Sequence, residues 1–178
     1  MFDREYTFRG KHATFVKELK NEFGMEGKLN VFERNIDVYV LAPIVGFIYK
    51  RQSTIDTVSD LKNDIAKIGT DQILDATNDI KYNFRLIMLL DKKYEPSLEK
   101  RVAKAFQYLE TQQEKEYYDS EEGKRDLEIF NSYVLGGVEY LYENIILGKI
   151  KNDYTSNAIE FIKKFDDEYN KTIDDILC

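Results

Sequence analysis

The side chains able to do chemistry in this chain are mostly carboxylates. There are 33 Asp and Glu, but a single histidine, His12, and a single cysteine, Cys178, which is the last residue. One histidine cannot assemble a usual zinc site. Glu139 and Glu143 stand one helical turn apart, yet helical di-metal sites pair such glutamates with Glu-x-x-His motifs that this chain lacks. The sequence contains no GxxxxGK followed by Ser or Thr, no GxGxxG, no HExxH and no GxSxG. Phosphate-loop, dinucleotide, zinc-protease and serine-hydrolase chemistry therefore lack their signatures. The expectation is a protein that is not an enzyme, with no catalytic, metal or cofactor-binding residue to name.

What remains is charge. The formal net charge is -7, which argues against nonspecific nucleic-acid binding by the whole surface. The distribution is uneven: residues 1–51 hold nine Lys and Arg against seven Asp and Glu, and the rest of the chain holds 17 against 26. Arg9, Lys11, Arg34, Lys50 and Arg51 are the candidate contacts to nucleic acid or to a partner, provided the fold brings them together. Asp166, Asp167, Asp174 and Asp175 form a candidate acidic face on the last helix, suited to a basic partner or to imitating a row of phosphates.

The elements that must carry these residues read as helices. Ile36 to Tyr49 has one formal charge, Asp37, in a chain that is 33% charged, so this segment is buried on nearly all sides. At a rise of about 1.5 Å per residue it is too short for a ~30 Å hydrocarbon core. It is a central helix, N-capped by Asn35. Pro43 makes it either one helix kinked near Val40 or a turn with a second helix beyond. Ala13, Phe15, Val16, Leu19 and Phe23 predict a first helix over 11–22, stopped by Gly24. Residues 52–69 read two ways: a helix capped by Ser59 carrying Leu61, Ile65 and Ile68, or a short extended piece at the β-branched 54–58. Further helices are expected at 70–76, from Asn78 to about 93, and from Pro96 and Ser97 to about Gln112, the last with Leu98, Val102, Ala105, Phe106 and Leu109 as its core stripe. The polar segment 111–124 is an exposed loop or a solvated helical extension, and the place to expect proteolysis. A long helix follows from Ser120 to near Gly148. Its Gly136 and Gly137 each cost about 1 kcal/mol relative to alanine, which points to a close helix crossing. The last helix begins at Thr155 or Ser156 and buries Ile159, Ile162, Phe165, Tyr169, Ile173 and Ile176. The whole is a single-domain, all-α bundle of about six to seven helices over residues 1–178. The charged N-terminus has no apolar h-region, so a cytoplasmic location without membrane association is expected.

Two stretches carry a resemblance: KHATFVKELKNE followed by VFERNIDVYVLAPIVGF and KRQS, and FNSYVLGGVEYLYENI. Together they resemble the small helical proteins encoded beside bacterial DNA phosphorothioation genes. Arg34, Asp37, Gly46, Phe47 and Arg51 match in the first stretch; Tyr133, Gly137 and Glu139 match in the second. The polar segment 111–124 is longer than that pattern. The resemblance implies an accessory subunit in antiphage defence linked to DNA modification, working through other proteins of the complex. Two other readings stand beside it: direct DNA binding through the cations of the N-terminal third, and a phage-type inhibitor whose acidic half occupies a nucleic-acid channel. A homodimer is also open, since a helix apolar around most of its circumference needs cover.

Overall fold

A strand opens the chain, because Phe8 has an apolar partner far ahead in sequence. The computed structural model describes residues 2–21, 30–107, 114–147 and 154–177, with the side chains of 115 and 173–177 excepted. The expected stops at Gly24, Gln112 and Gly148, together with Phe23, Leu109 and Cys178, lie outside the described residues, as do the side chains of Ile173, Asp174, Asp175 and Ile176. Strand β1 (Tyr6–Arg9) pairs antiparallel with β2 (Ile65–Ile68), Tyr6 opposite Ile68 and Arg9 opposite Ile65. Alternation buries Phe8, Ala66 and Ile68 and leaves Ile65 and Lys67 outside. Neither the Ser59 helix nor an extended piece at 54–58 forms a regular element; the strand lies at 65–68, where pairing with β1 satisfies the backbone.

The helices are α1 (Lys11–Leu19), α2 (Asn35–Ile48), α3 (Thr70–Asp75), α4 (Thr77–Leu90), α5 (Leu98–Val102), α6 (Glu114–Asp119), α7 (Glu121–Ile145) and α8 (Tyr154–Leu177). This is the expected helical bundle with a small sheet at its edge. Among the described residues, no helix is long and apolar enough to cross a membrane.

The most extensive packing is between α2 and α7. Gly46 faces the Tyr133 carbonyl and Gly137 faces the Ala42 carbonyl, and a Cβ at either glycine would overlap that oxygen. Each helix thus offers a small residue to the other's backbone four residues apart, the close crossing expected of Gly137. Gly136 lies against the Arg51 carbonyl, so the chain leaving α2 also runs over α7, and Ser53 N–H donates to Ser132 O at 3.0 Å. α2 continues unbroken through Pro43. Asn83 of α4 donates its amide to Val40 O at 2.7 Å on that turn. The N-cap is Arg34, whose N–H is accepted by Asp37 Oδ2 at 2.8 Å, while Asn35 reaches out to Lys67 O at 2.8 Å and ties α2 to β2. At its other end Lys50 takes a left-handed conformation, φ 54°, and Arg51 N–H returns to Gly46 O at 2.8 Å.

Three faces differ from the periodicity. α5 continues as a π-helical turn, Ala103–Gln107, and here Arg101, Lys104 and Ala105 are buried while Leu98, Val102 and Phe106 are exposed. The polar segment around 114–124 is helical, with Tyr117 and Tyr118 buried. α8 turns Phe161 and Phe165 inward, onto Tyr49 and Tyr140, and leaves Ile159 and Ile162 outside. An aromatic surface made by Tyr49, at the end of α2, and Tyr140 of α7 selects the rings of α8 over its isoleucines.

Candidate functional site

Just beyond the α2–α7 crossing, three elements meet at one carboxylate. Glu139 of α7 accepts from Lys11 Nζ at 2.8 Å and His12 Nε2 at 2.9 Å, both at the start of α1, and from Ser53 Oγ at 2.6 Å. The start of α1 is set by Gly10, whose φ of 62° turns the chain from strand to helix at little steric cost. One turn along α7, both oxygens of Glu143 take Arg51 Nη2, at 2.8 and 3.0 Å, and the Arg51 guanidinium lies 5.7 Å from the Tyr140 ring centre. Burial of Glu139 works against its charge, but the hydrogen bonds from His12, Lys11 and Ser53 outweigh it and hold the carboxyl down to about 2. A carboxylate that holds its proton so weakly is a poor base. Ser53 donates to it without being activated, so the cluster ties elements together. His12 is wholly buried, and its Nδ1 has no hydrogen-bond partner among the described residues.

The predicted cations divide accordingly. Lys11 and Arg51 do reach one strip of α7, but as partners of Glu139 and Glu143. Arg34 sits at the opposite end of α2, roughly 20 Å away by helical rise, in an ion pair with Asp37 at 2.8 Å. Arg9 and Lys50 are exposed and have no ion-pair partner among the described residues. On α8, Asp166 and Asp167 are exposed, and the flanking Glu160–Lys164 and Glu168–Lys171 pairs interrupt the acidic row.

Next to the Glu139 cluster, the loop between Ser53 and Asp64 is pinned at both ends. Asp56 accepts from Lys11 N–H at 3.0 Å, Val58 N–H at 3.2 Å, Ser59 N–H at 3.0 Å and the Ser59 hydroxyl. These bonds, those from Ser59 foremost, hold its carboxyl well below the usual carboxylate range. Asp64 accepts from Gly10 N–H through its carbonyl at 2.9 Å and from Thr14 Oγ1 through its carboxylate at 2.6 Å. Thus fixed, the loop and the start of β2 present Ile55, Val58, Leu61 and Ile65 to solvent, Val58 with 89% of its surface exposed.

A second polar cluster was not visible in the sequence. Asp126 of α7, 0% exposed, accepts from Lys104 Nζ at 2.7 Å, from Tyr94 OH at 2.6 Å and from the Tyr117 hydroxyl. Lys104 Nζ also lies 4.9 Å from the Tyr94 ring centre and 3.3 Å from Glu122. Burial, then the bond to Asp126, pushes both phenols up. Tyr133 OH likewise donates to the buried Asp91 at 2.6 Å. Lysine and aspartate 22 residues apart in polar surroundings carry no local signal; the paired Tyr117 and Tyr118 in a charged stretch were the one clue. Among the described residues, no group of three or more His, Cys, Asp or Glu is arranged to hold a metal ion.

No protein-family model, curated protein or solved structure matches the chain.

Proposed function

We propose that the chain is a non-enzymatic accessory protein that binds another protein of a bacterial antiphage defence system linked to DNA modification. The observation that carries the binding role is the Ser53–Asp64 loop. Its backbone is held by Asp56 and Asp64, and it keeps large aliphatic side chains in water. A loop already ordered loses little conformational entropy on association, and aliphatic side chains in solvent gain by being covered. The defence setting rests on the resemblance carried by the stretches in α1, α2 and α7. Direct DNA binding would need cations free to displace the counterions of phosphates, whereas Lys11, Arg34 and Arg51 each hold a carboxylate and, of the five candidates, Arg9 and Lys50 alone stand without an ion pair among the described residues.

The test is affinity capture of the tagged chain and of its Val58→Asp variant from the native cells, with and without nuclease, read by mass spectrometry. DNA-modification or defence proteins that survive nuclease and disappear with Val58→Asp, at an unchanged melting temperature, are expected. Recovery of nucleic acid, with proteins lost after nuclease and with charge reversal at Lys50 and Arg51, would move the function to DNA.

A further inference from the structure

On the side of α2 away from the pinned loop lies an open cleft of about 430 Å3 between α2 and α4, bordered by Phe165 of α8. That volume falls in the ~300–1,000 Å3 range of small-molecule sites. Its α2 wall is Val40, Leu41 and Ile44, aliphatic side chains only half-covered although they belong to the most apolar helix of the chain. Phe165 offers a ring from the α8 side.

The polar groups left open at this cleft are acceptors. Asn83, a buried residue, directs its amide N–H onto Val40 O, and its carbonyl oxygen accepts no hydrogen bond among the described residues. Asp79, in the first turn of α4, lines the same space and has no ion pair or hydrogen bond among the described residues. Among the described residues, Arg34 is the one cation in the lining, and it is turned onto Asp37 by two hydrogen bonds, Nη2 to Oδ1 at 2.8 Å and Nε to Oδ2 at 3.5 Å. Asp75 adds a further carboxylate within electrostatic reach of Arg34. The balance at the mouth is negative, with Asp79 uncompensated and acceptors left open beside an apolar floor.

We propose that this cleft binds a small organic cation, an ammonium or guanidinium carried on an aromatic or branched aliphatic body. The body lies on Val40, Leu41, Ile44 and Phe165, and the cationic group donates to Asp79 and the Asn83 carbonyl. An anion of the same shape meets repulsion, and a neutral one gains no ion pair with Asp79, which is exposed and stays hydrated. This site is separate from the pinned loop, so it does not depend on the partner-binding role.

Methyl-labelled full-length protein titrated with phenethylammonium and, separately, with 3-phenylpropionate tests the proposal by NMR. Saturable shifts at the Val40, Leu41 and Ile44 methyls with the amine and none with the acid are expected. Asp79→Asn is expected to weaken the amine roughly fivefold, the loss of one partly exposed ion pair, at an unchanged melting temperature. The assignment is overturned if the amine leaves those methyls unmoved, if the acid binds as well, or if Asp79→Asn binds equally. Shifts produced only by an apolar, lysine-bearing peptide would overturn it too, by making the cleft a protein-docking groove.

Discussion

At the α2–α7 crossing, burial follows the hydrophobic pattern: Ala42, Val45, Val134 and Val138 are sealed inside and two glycines let the backbones touch. In the segment from Leu98 to Gln107 the pattern is turned around, with Lys104 4% exposed and Leu98 62%. The difference lies in what the facing surface holds. The crossing presents apolar side chains, aliphatic and aromatic, and backbone. The other segment packs over Asp126, a carboxylate with no access to water. Leaving a Leu or Val in solvent forgoes about 1.5–3 kcal/mol, while an unpaired buried carboxylate costs about 3–5 kcal/mol. The ion therefore takes the inside position. Arg101 comes with it, donating from Nη1 to the carbonyls of Glu95 and Pro96 at 3.0 and 3.2 Å.

The largest effect expected is at the charged end of this contrast. Lys104→Met or Asp126→Leu alone should destabilise by about 3–5 kcal/mol in urea unfolding, and the two together by clearly less than the sum, because the double change leaves no buried ion without a partner. Strict additivity would break the account. At the apolar end, Gly137→Ala should cost about 3 kcal/mol, since a methyl group must push apart two helix backbones; a loss under about 1 kcal/mol would mean the helices can slide at little cost.

Alkali sharpens the same comparison. Burial, and then the bonds to Asp126 and Asp91, raise Tyr94, Tyr117 and Tyr133 in the folded chain. An unfolded tyrosine ionises near about 10. Their contribution is whole below that pH and is lost above it, as the pH climbs toward the raised folded values. A pH series of melting temperatures should fall from about 10 upward, and less steeply for Tyr117→Phe. Smaller effects belong to the surface: Phe106→Ser, at a side chain 42% exposed, should cost about 1 kcal/mol, well under the loss at a fully buried phenylalanine, although the helical pattern places Phe106 in the core. Lys50→Gly should raise stability by about 1 kcal/mol by relieving a left-handed residue.

Features readable from a few neighbouring residues are the ones the structure repeats. Ser97 and Ser120 cap their helices, accepting from Lys100 N–H at 3.3 Å and Gly123 N–H at 3.1 Å; a capping bond spans three residues and needs nothing else. The burial of α2 follows from its unbroken apolar run, and the close crossing from paired glycines in the middle of a helix. The candidate site was legible only in separate halves, cations near the start of the chain and the Glu139–Glu143 pair one turn apart. Lys11 and Arg51 stood out by charge, but their partners Glu139 and Glu143 lie far along the chain, and so does the contact that pins Asp56 to the start of α1.

By itself, then, the sequence determined where several of the helices start, which one lies at the centre and where two of them touch, because capping, periodicity and the lack of a side chain act locally. The tertiary structure decided the β1–β2 pairing, the inward turn of Lys104, the rotation of α8 onto its aromatic rings and the conversion of a basic strip into ion pairs. Each of those depends on what a distant surface offers. A charge or an aromatic face settles which side of a helix is buried only once the fold has brought the two together.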